Sequence, residues 1–265
     1  MGEIGIKETY AVITGASKGL GRALAEEVSR RRMNSLLVSL PGDGLEVVCS
    51  ELRETYGTDS RAFETDLSVT ENVIELARRI NTEFEVFMLI NNAGIGGSKR
   101  FSDADVEYVN RIVQLNAVCT ALLTHQLLPN LLRQMEAYIL NVASIAAVNP
   151  TGFKTVYPAS KAFVYSFSLG LYEELRGSGV HVSVVCPGAM PTNEEIIKRI
   201  EDQGFFAKLI FTDTEKTAKR CIKGLLSQKR LIRVNIGIWV LSKLLPTGMR
   251  VRLITRTVRR EVFNG

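Results

Sequence analysis

Tyr157 and Lys161 stand four residues apart, so on one helix they share a face. A phenol held beside an ammonium group can act as a general acid and base. With the cation about 5 Å away at an effective dielectric of about 20, the attraction is about 3 kcal/mol, enough to lower a phenol about two units from its ordinary pKa of about 10. Ser144, thirteen residues before Tyr157, adds a hydroxyl able to position and polarise a carbonyl. This set suits proton donation to a carbonyl oxygen, or proton removal from an alcohol. Far upstream, Thr14-Gly15-Ala16-Ser17-Lys18-Gly19-Leu20-Gly21 follows an apolar run and leads into a helical segment over 22–32. Its glycines permit a tight turn and close backbone approach, and the amides at the helix start favour a pyrophosphate. A dinucleotide beside an acid/base group is the equipment of hydride transfer.

These residues need a frame that brings the two ends of the motif set together. Short aliphatic runs recur at 10–14, 35–40, 61–65, 86–90, 137–142, 181–186 and 231–234, with helix-length amphipathic stretches such as 156–176 and 214–227 between them. Such alternation predicts βαβ units: a doubly wound α/β fold with seven parallel strands and helices on both faces. No repeat, low-complexity tract or linker divides the chain, so one domain over 1–234 is expected, with an extension over 235–265.

The order TGxxxGxG, Asn91-Asn92-Ala93-Gly94, Asn116, Ser144, Tyr157-x-x-x-Lys161 and Pro187-Gly188 resembles the short-chain dehydrogenase/reductase family over about residues 8 to 234. The resemblance implies a Rossmann fold and an oxidoreductase of carbonyl and alcohol groups, with Asn116, Ser144, Tyr157 and Lys161 as its catalytic set. It also implies that Lys161 binds the nicotinamide ribose hydroxyls and that Asn116 holds a water relaying protons from Lys161. The cofactor contacts implied around the glycine turn are Gly15, Ser17, Lys18, Gly19, Leu20 and Gly21. Further along the resemblance implies Ser39, Asp66, Leu67, Asn92, Ala93 and Gly94, then Pro187, Gly188 and Thr192 near the carboxamide. Asp66 is matched to an adenine contact, and a helix-capping role before Ser68 competes with it. Asn91 is expected to steady the sheet at the end of the fourth strand.

The second strand ends in Val38-Ser39-Leu40-Pro41, without the acidic residue that normally takes the ribose hydroxyls of NAD. Lys18 offers a cation for a 2′-phosphate and Ser39 a hydroxyl, so NADP (NADPH) is the expected cofactor and NAD the alternative. Leu40 departs from the arginine common in relatives, and Asp43 is the residue most able to reverse the preference.

The variable segment 194–211, ending in Gly204-Phe205-Phe206-Ala207-Lys208-Leu209-Ile210-Phe211, is expected to cover a hydrophobic, lipid-like, acyl or steroid-like carbonyl substrate. The 265 residues carry a net charge of +5. From Ser227 onward nine basic residues face only Glu261, giving +8, so residues 1–226 carry −3. The basic character therefore belongs to the tail, and a nucleic-acid partner is not expected. Val251, Ile254, Val258 and Val262 recur at helical spacing opposite Arg252, Arg256 and Arg259. This predicts a basic amphipathic helix that either docks peripherally on an anionic membrane or packs on its own domain or a second subunit.

Four scattered cysteines and two histidines, His125 and His181, offer neither a disulfide framework nor a metal site. The chain start lacks a cationic region followed by an apolar stretch, and the apolar run 236–245 is about half a membrane span, so a cytoplasmic protein is expected. Relatives commonly form dimers or tetramers through helices equivalent to 106–132 and 156–176. The alternative in another class, a nucleotide-sensing or interaction protein without turnover, runs against the filled catalytic set.

Overall fold

The computed structural model describes residues 8–188, 190, 213–234 and 246–263. Seven parallel strands, β1 (Thr9–Thr14), β2 (Asn34–Ser39), β3 (Ser60–Glu64), β4 (Glu85–Asn91), β5 (Ala137–Val142), β6 (Val180–Val185) and β7 (Leu231–Ile232), lie in the order 3-2-1-4-5-6-7. The helices are α1 (Gly19–Arg30), α2 (Leu45–Tyr56), α3 (Thr70–Glu83), α4 (Val106–Val113), α5 (Cys119–Leu131), α6 (Val156–Glu174), α7 (Thr214–Leu226) and α8 (Thr247–Phe263). The doubly wound Rossmann arrangement expected from the sequence is the one found. Strand limits agree with the aliphatic runs to within two residues; β7 is the shortest.

Alternation along β1 shows how the layers form. Ala11 and Ile13 pack into a core with Leu24 and Val28 of α1, Leu45 and Val48 of α2, and Ile222 and Leu225 of α7. Tyr10 and Val12 point to the other face, among Ile80 of α3, Leu123 and Leu127 of α5, and Leu171 of α6. Both faces of the central strands are therefore apolar, as a covered parallel sheet requires. Each fully buried leucine or isoleucine contributes about 2 to 3 kcal/mol through removal from water.

Since β1 lies between β2 and β4, the chain leaves β1 toward one face and β4 toward the other. A crevice opens between the carboxyl ends of these two strands, where ligands bind in open α/β sheets. Thr192, the segment 194–211 and the apolar run 236–245 lie outside the described residues.

Candidate active site

The glycine turn forms the floor of the crevice. The Thr14 hydroxyl donates to Ile90 O (3.4 Å) and accepts from the backbone N–H groups of Asn92 and Ala93 (both 3.0 Å). The Asn92 amide returns the contact to Thr14 O (2.9 Å) and Gly15 O (3.2 Å). Gly15 holds φ +66°, and a Cβ there would stand 3.0 Å from Ala93 Cα; at Gly21 a Cβ would fall 1.9 Å from Gly15 O. Only glycine fits at Gly21, because the obstructing atom is backbone.

At the start of α1, Lys18 makes no side-chain cap and the first turn carries no acid. By contrast α4 and α7 are capped by Asp105 and Asp213, which accept from Tyr108 N (2.7 Å) and Lys216 N (2.8 Å). The uncapped amides of α1 fit the pyrophosphate of a dinucleotide. The Leu20 side chain is buried in the core, which leaves its backbone for a ligand.

Next to this turn, Asp43 accepts from Ser17 Oγ (3.2 Å) and pairs with Lys18 Nζ (3.4 Å). Lys18 is exposed, and Ser39 is buried with its hydroxyl turned to Leu40 O (3.2 Å). Asp66 Oδ1 accepts from both the amide (2.9 Å) and the hydroxyl (2.7 Å) of Ser68, a turn that precedes α3; the cap position of that helix is Val69, without a side-chain cap, so Asp66 does not cap it. Burial pushes the Asp66 carboxyl up, but the bonds from Ser68 outweigh it and hold it below its ordinary value. Leu67 is buried in the core on the α3 side.

The expected catalytic set converges from three elements. Ser144 follows β5 in extended conformation; its Oγ accepts from Ala146 N (3.1 Å), and its hydroxyl is near enough to the Tyr157 phenol to act on its acidity. Tyr157 and Lys161 lie one turn apart near the start of α6, as their spacing predicts. Lys161 is buried and donates to Val142 O (2.8 Å), so one of its three N–H groups is used. A buried cation with donors to spare fits a pair of ribose hydroxyls. Gly94 lies against both Lys161 and Asn116: a Cβ on it would stand 3.1 Å from Lys161 Nζ and 3.0 Å from Asn116 Oδ1. Gly96 lies along the Tyr157 ring, and Pro187 O accepts from Ile145 N (2.9 Å), which puts the Pro187-Gly188 segment beside Ser144.

Asn116 sits in a π-helical turn (Gln114–Val118) between α4 and α5, an irregularity common at functional sites. Its amide donates to Ile95 O and Ser160 Oγ (both 2.9 Å) and its Oδ1 accepts from Ile95 N (2.9 Å). Both amide hydrogens are thus spent on the protein, where they fix the strip after Gly94. A buried polar chain leads away from it: Thr120 Oγ1 donates to Asn116 O, Thr124 Oγ1 to Thr120 O, and Asn91 Nδ2 to Thr124 Oγ1 and Asn141 Oδ1. Asn141 in turn donates to Ser168 Oγ (2.9 Å) on α6. Ser160, Thr120, Thr124, Asn141 and Ser168 were not singled out by sequence reasoning, since a lone hydroxyl or amide in an apolar helix or strand carries no pattern.

The acidity expected for Tyr157 is corrected here. Burial raises its pKa above the ordinary value and the Ser144 hydroxyl draws it back only in part. Helical spacing placed the two groups on one face, but Lys161 Nζ is committed to Val142 O and its own ammonium is pushed down to about 8 by burial. Desolvation dominates the Coulomb attraction that the sequence suggested.

A profile of the short chain dehydrogenases matches residues 9–203. The chain belongs to this family. It is 32% identical over 254 residues to a very-long-chain 3-oxoacyl-CoA reductase of Anas platyrhynchos, covering 94% of this chain and 79% of that one. Among solved structures it is similar to the bulky-bulky ketone specific alcohol dehydrogenase of Comamonas testosteroni (28% identity, TM-score 0.75, 85% of each chain). It is also similar to a short-chain dehydrogenase of Sphingobium yanoikuyae in complex with NADPH (26% identity, TM-score 0.78, 93% of this chain and 94% of that one). The protein is accordingly an oxidoreductase acting on CH–OH and C=O groups of small molecules with a nicotinamide cofactor.

In this short-chain dehydrogenase the catalytic cleft is flanked by two strips, 95–103 and 145–155, joined where Lys99 N donates to Phe153 O (2.6 Å). Helix α8 packs on both. Thr255 Oγ1 accepts from Gly152 N (2.9 Å) and lies 3.3 Å from Thr151 Oγ1. The Phe263 ring stands edge-on to Phe153 (centroids 5.6 Å apart), with the Arg100 guanidinium 4.9 Å from its centre. Among the two outcomes expected for the tail, packing on its own domain is found for this inner face, where Val258 is buried. The outer face presents Arg252 and Arg256 beside half-exposed Met249 and Leu253. No helix among the described residues is long and apolar enough to cross a membrane.

Proposed function

We propose that the protein is an NADP-dependent ketoreductase of a hydrophobic carbonyl compound, built as a catalytic domain (1–234) with a basic extension (235–265). The observation that carries this reading is the Tyr157 phenol, close enough to the Ser144 hydroxyl to feel it and one turn from buried Lys161. When bound, the nicotinamide supplies or accepts the hydride. Ser144 orients the carbonyl oxygen, and Tyr157, kept protonated by its raised pKa, donates its proton to that oxygen. Lys161 spends its free N–H groups on ribose hydroxyls, and Asn116 fixes the strip that carries Gly94 beside it. Gly15, Gly19 and Gly21 let the backbone approach the pyrophosphate; Thr192 is assigned to the carboxamide by the family pattern alone.

Lys18 supports the NADP preference as the exposed cation of the turn, with Asp43 its counterweight. A hydrophobic substrate is supported by the names of two relatives, one acting on oxoacyl-CoA and one on bulky ketones. Incubation with NADPH and a cell lipid extract, followed by mass spectrometry, should show products heavier by two hydrogens. Tyr157→Phe should abolish this while retaining NADPH binding; undiminished turnover in that variant refutes the assignment.

Two features favour wider contacts. The arginine-rich outer face of α8, with Met249 and Leu253, suits peripheral docking to the anionic cytoplasmic leaflet. Vesicles containing phosphatidylserine should sediment the protein at low salt, and no sedimentation defeats this. Phe163, 44% exposed on α6 and stacked on Phe167, and Val113 of α4 suit a homo-oligomer; a monomeric mass by light scattering rules it out.

A further inference from the structure

Helix α8 takes no part in the chemistry described above, yet it grips both strips beside Tyr157. Thr255 holds the backbone of Gly152 and the hydroxyl of Thr151, in the loop that links Ser144 to Tyr157. The fit is close: a Cβ on Gly152 would stand 2.9 Å from Thr255 Cγ2. The next residue, Phe153, has φ +63°, a left-handed backbone that a phenylalanine rarely adopts. Its carbonyl is bound by Lys99 N and its ring meets Phe263, while Arg100 of the opposite strip covers Phe263 from another side. Left to itself, a loop with such a backbone would relax; here three contacts hold it.

We infer that α8 is a specificity-determining wall of the substrate cleft, with Thr255 and Phe263 as positioning residues that fix the Thr151–Phe153 loop and so the width of the opening over Tyr157. The inference rests on the ketoreductase reading for what passes through that opening. It assigns no bond-making to α8. Thr255 acts through Gly152, and Phe263 acts through Phe153 and Arg100. None of these contacts involves a residue of the glycine turn.

The test compares Thr255→Val, Thr255→Ser and Phe263→Ala with the full-length parent in two measurements. In the first, hydrogen exchange read by mass spectrometry should accelerate about tenfold in peptides covering 146–155 for Thr255→Val and Phe263→Ala, as loss of one hydrogen bond or ring contact implies. Thr255→Ser, which keeps the hydroxyl, should restore the parent pattern. In the second, KM for a bulky ketone such as benzophenone should change about fivefold or more in Thr255→Val, with KM for cyclohexanone, kcat and the NADPH Kd within about twofold of the parent. Unchanged exchange at 146–155 overturns the inference. So does a uniform change in both KM values together with NADPH affinity, which is the mark of general loosening. If the parent reduces neither ketone, the ketoreductase reading loses its support on this panel, and the exchange data alone decide whether α8 holds the loop.

Discussion

Buried Lys161 makes a quantitative prediction about stability and pH. Its ammonium titrates at about 8 in the folded protein against an ordinary value of 10.5, because burial disfavours the charge. A lysine with a lowered folded pKa binds fewer protons folded than unfolded throughout the window between the two values, so stability rises with pH across it. Below the window both states are protonated and the penalty is constant. Integrating between about pH 7 and about pH 9.5 gives a gain of about 2 kcal/mol from this one group. Lys161→Met keeps the length and removes the titration. It also removes the bond to Val142 O, at a cost of about 1 kcal/mol that does not depend on pH. Urea unfolding of parent and variant at both pH values isolates the effect, because other titrating groups cancel in the difference. The parent should gain about 2 kcal/mol on the variant as pH rises. A difference equal at both pH values to within about 0.5 kcal/mol would show that Lys161 is not desolvated as described.

The raised pKa of Tyr157 predicts that the reductive rate is flat through neutral pH and falls only on the alkaline side, while the oxidative rate climbs with pH. Ser144→Ala removes the group that lowers this pKa, so both limbs of the profile should move to higher pH; a shift to lower pH contradicts the geometry. Gly21→Ala sets a Cβ 1.9 Å from Gly15 O, and the turn must deform: NADPH binding should be lost and stability fall by about 2 kcal/mol or more, read by titration calorimetry and thermal melts. Asp43→Asn frees Lys18 from an exposed pair worth at most about 1 kcal/mol, so the preference for NADPH over NADH should rise about fivefold or less, and a preference moving toward NADH defeats the role given to Lys18.

Much of the fold was legible because a covered parallel sheet leaves little choice of residue. β4 reads Glu-Val-Phe-Met-Leu-Ile-Asn, and runs of that kind are strands or nothing in a chain with this alternation. The glycine turn and the Tyr157–Lys161 spacing were legible for the same local reason: both lie within a few residues. What the sequence did not disclose depends on burial or on distant contacts. The direction of the Tyr157 shift follows from burial of the phenol, and spacing says nothing about desolvation. Asp43 reaches Ser17 and Lys18 only once the first crossover lays β2 beside β1, and Thr255 meets Gly152 across 103 residues of chain. Asp66 was ambiguous by sequence, since capping and ligand binding ask for the same residue; here its Oδ1 is already taken by Ser68.

The bonds from Thr14 to the start of the Asn92-Ala93 segment stitch the carboxyl ends of β1 and β4 together at the bottom of the crevice. Widening the crevice there would break several partly buried bonds at once. The two halves of the sheet therefore behave as one stiff plate, and adjustment to molecules of different shape falls to the strips and the helix around its edge. For an engineer this divides the molecule into a chassis and an interchangeable rim. Recasting residues 151–153 together with Thr255 and Phe263 should redirect selectivity with the nucleotide affinity intact, whereas variation at Thr14 or Asn92 should cost the fold before it alters the choice of substrate.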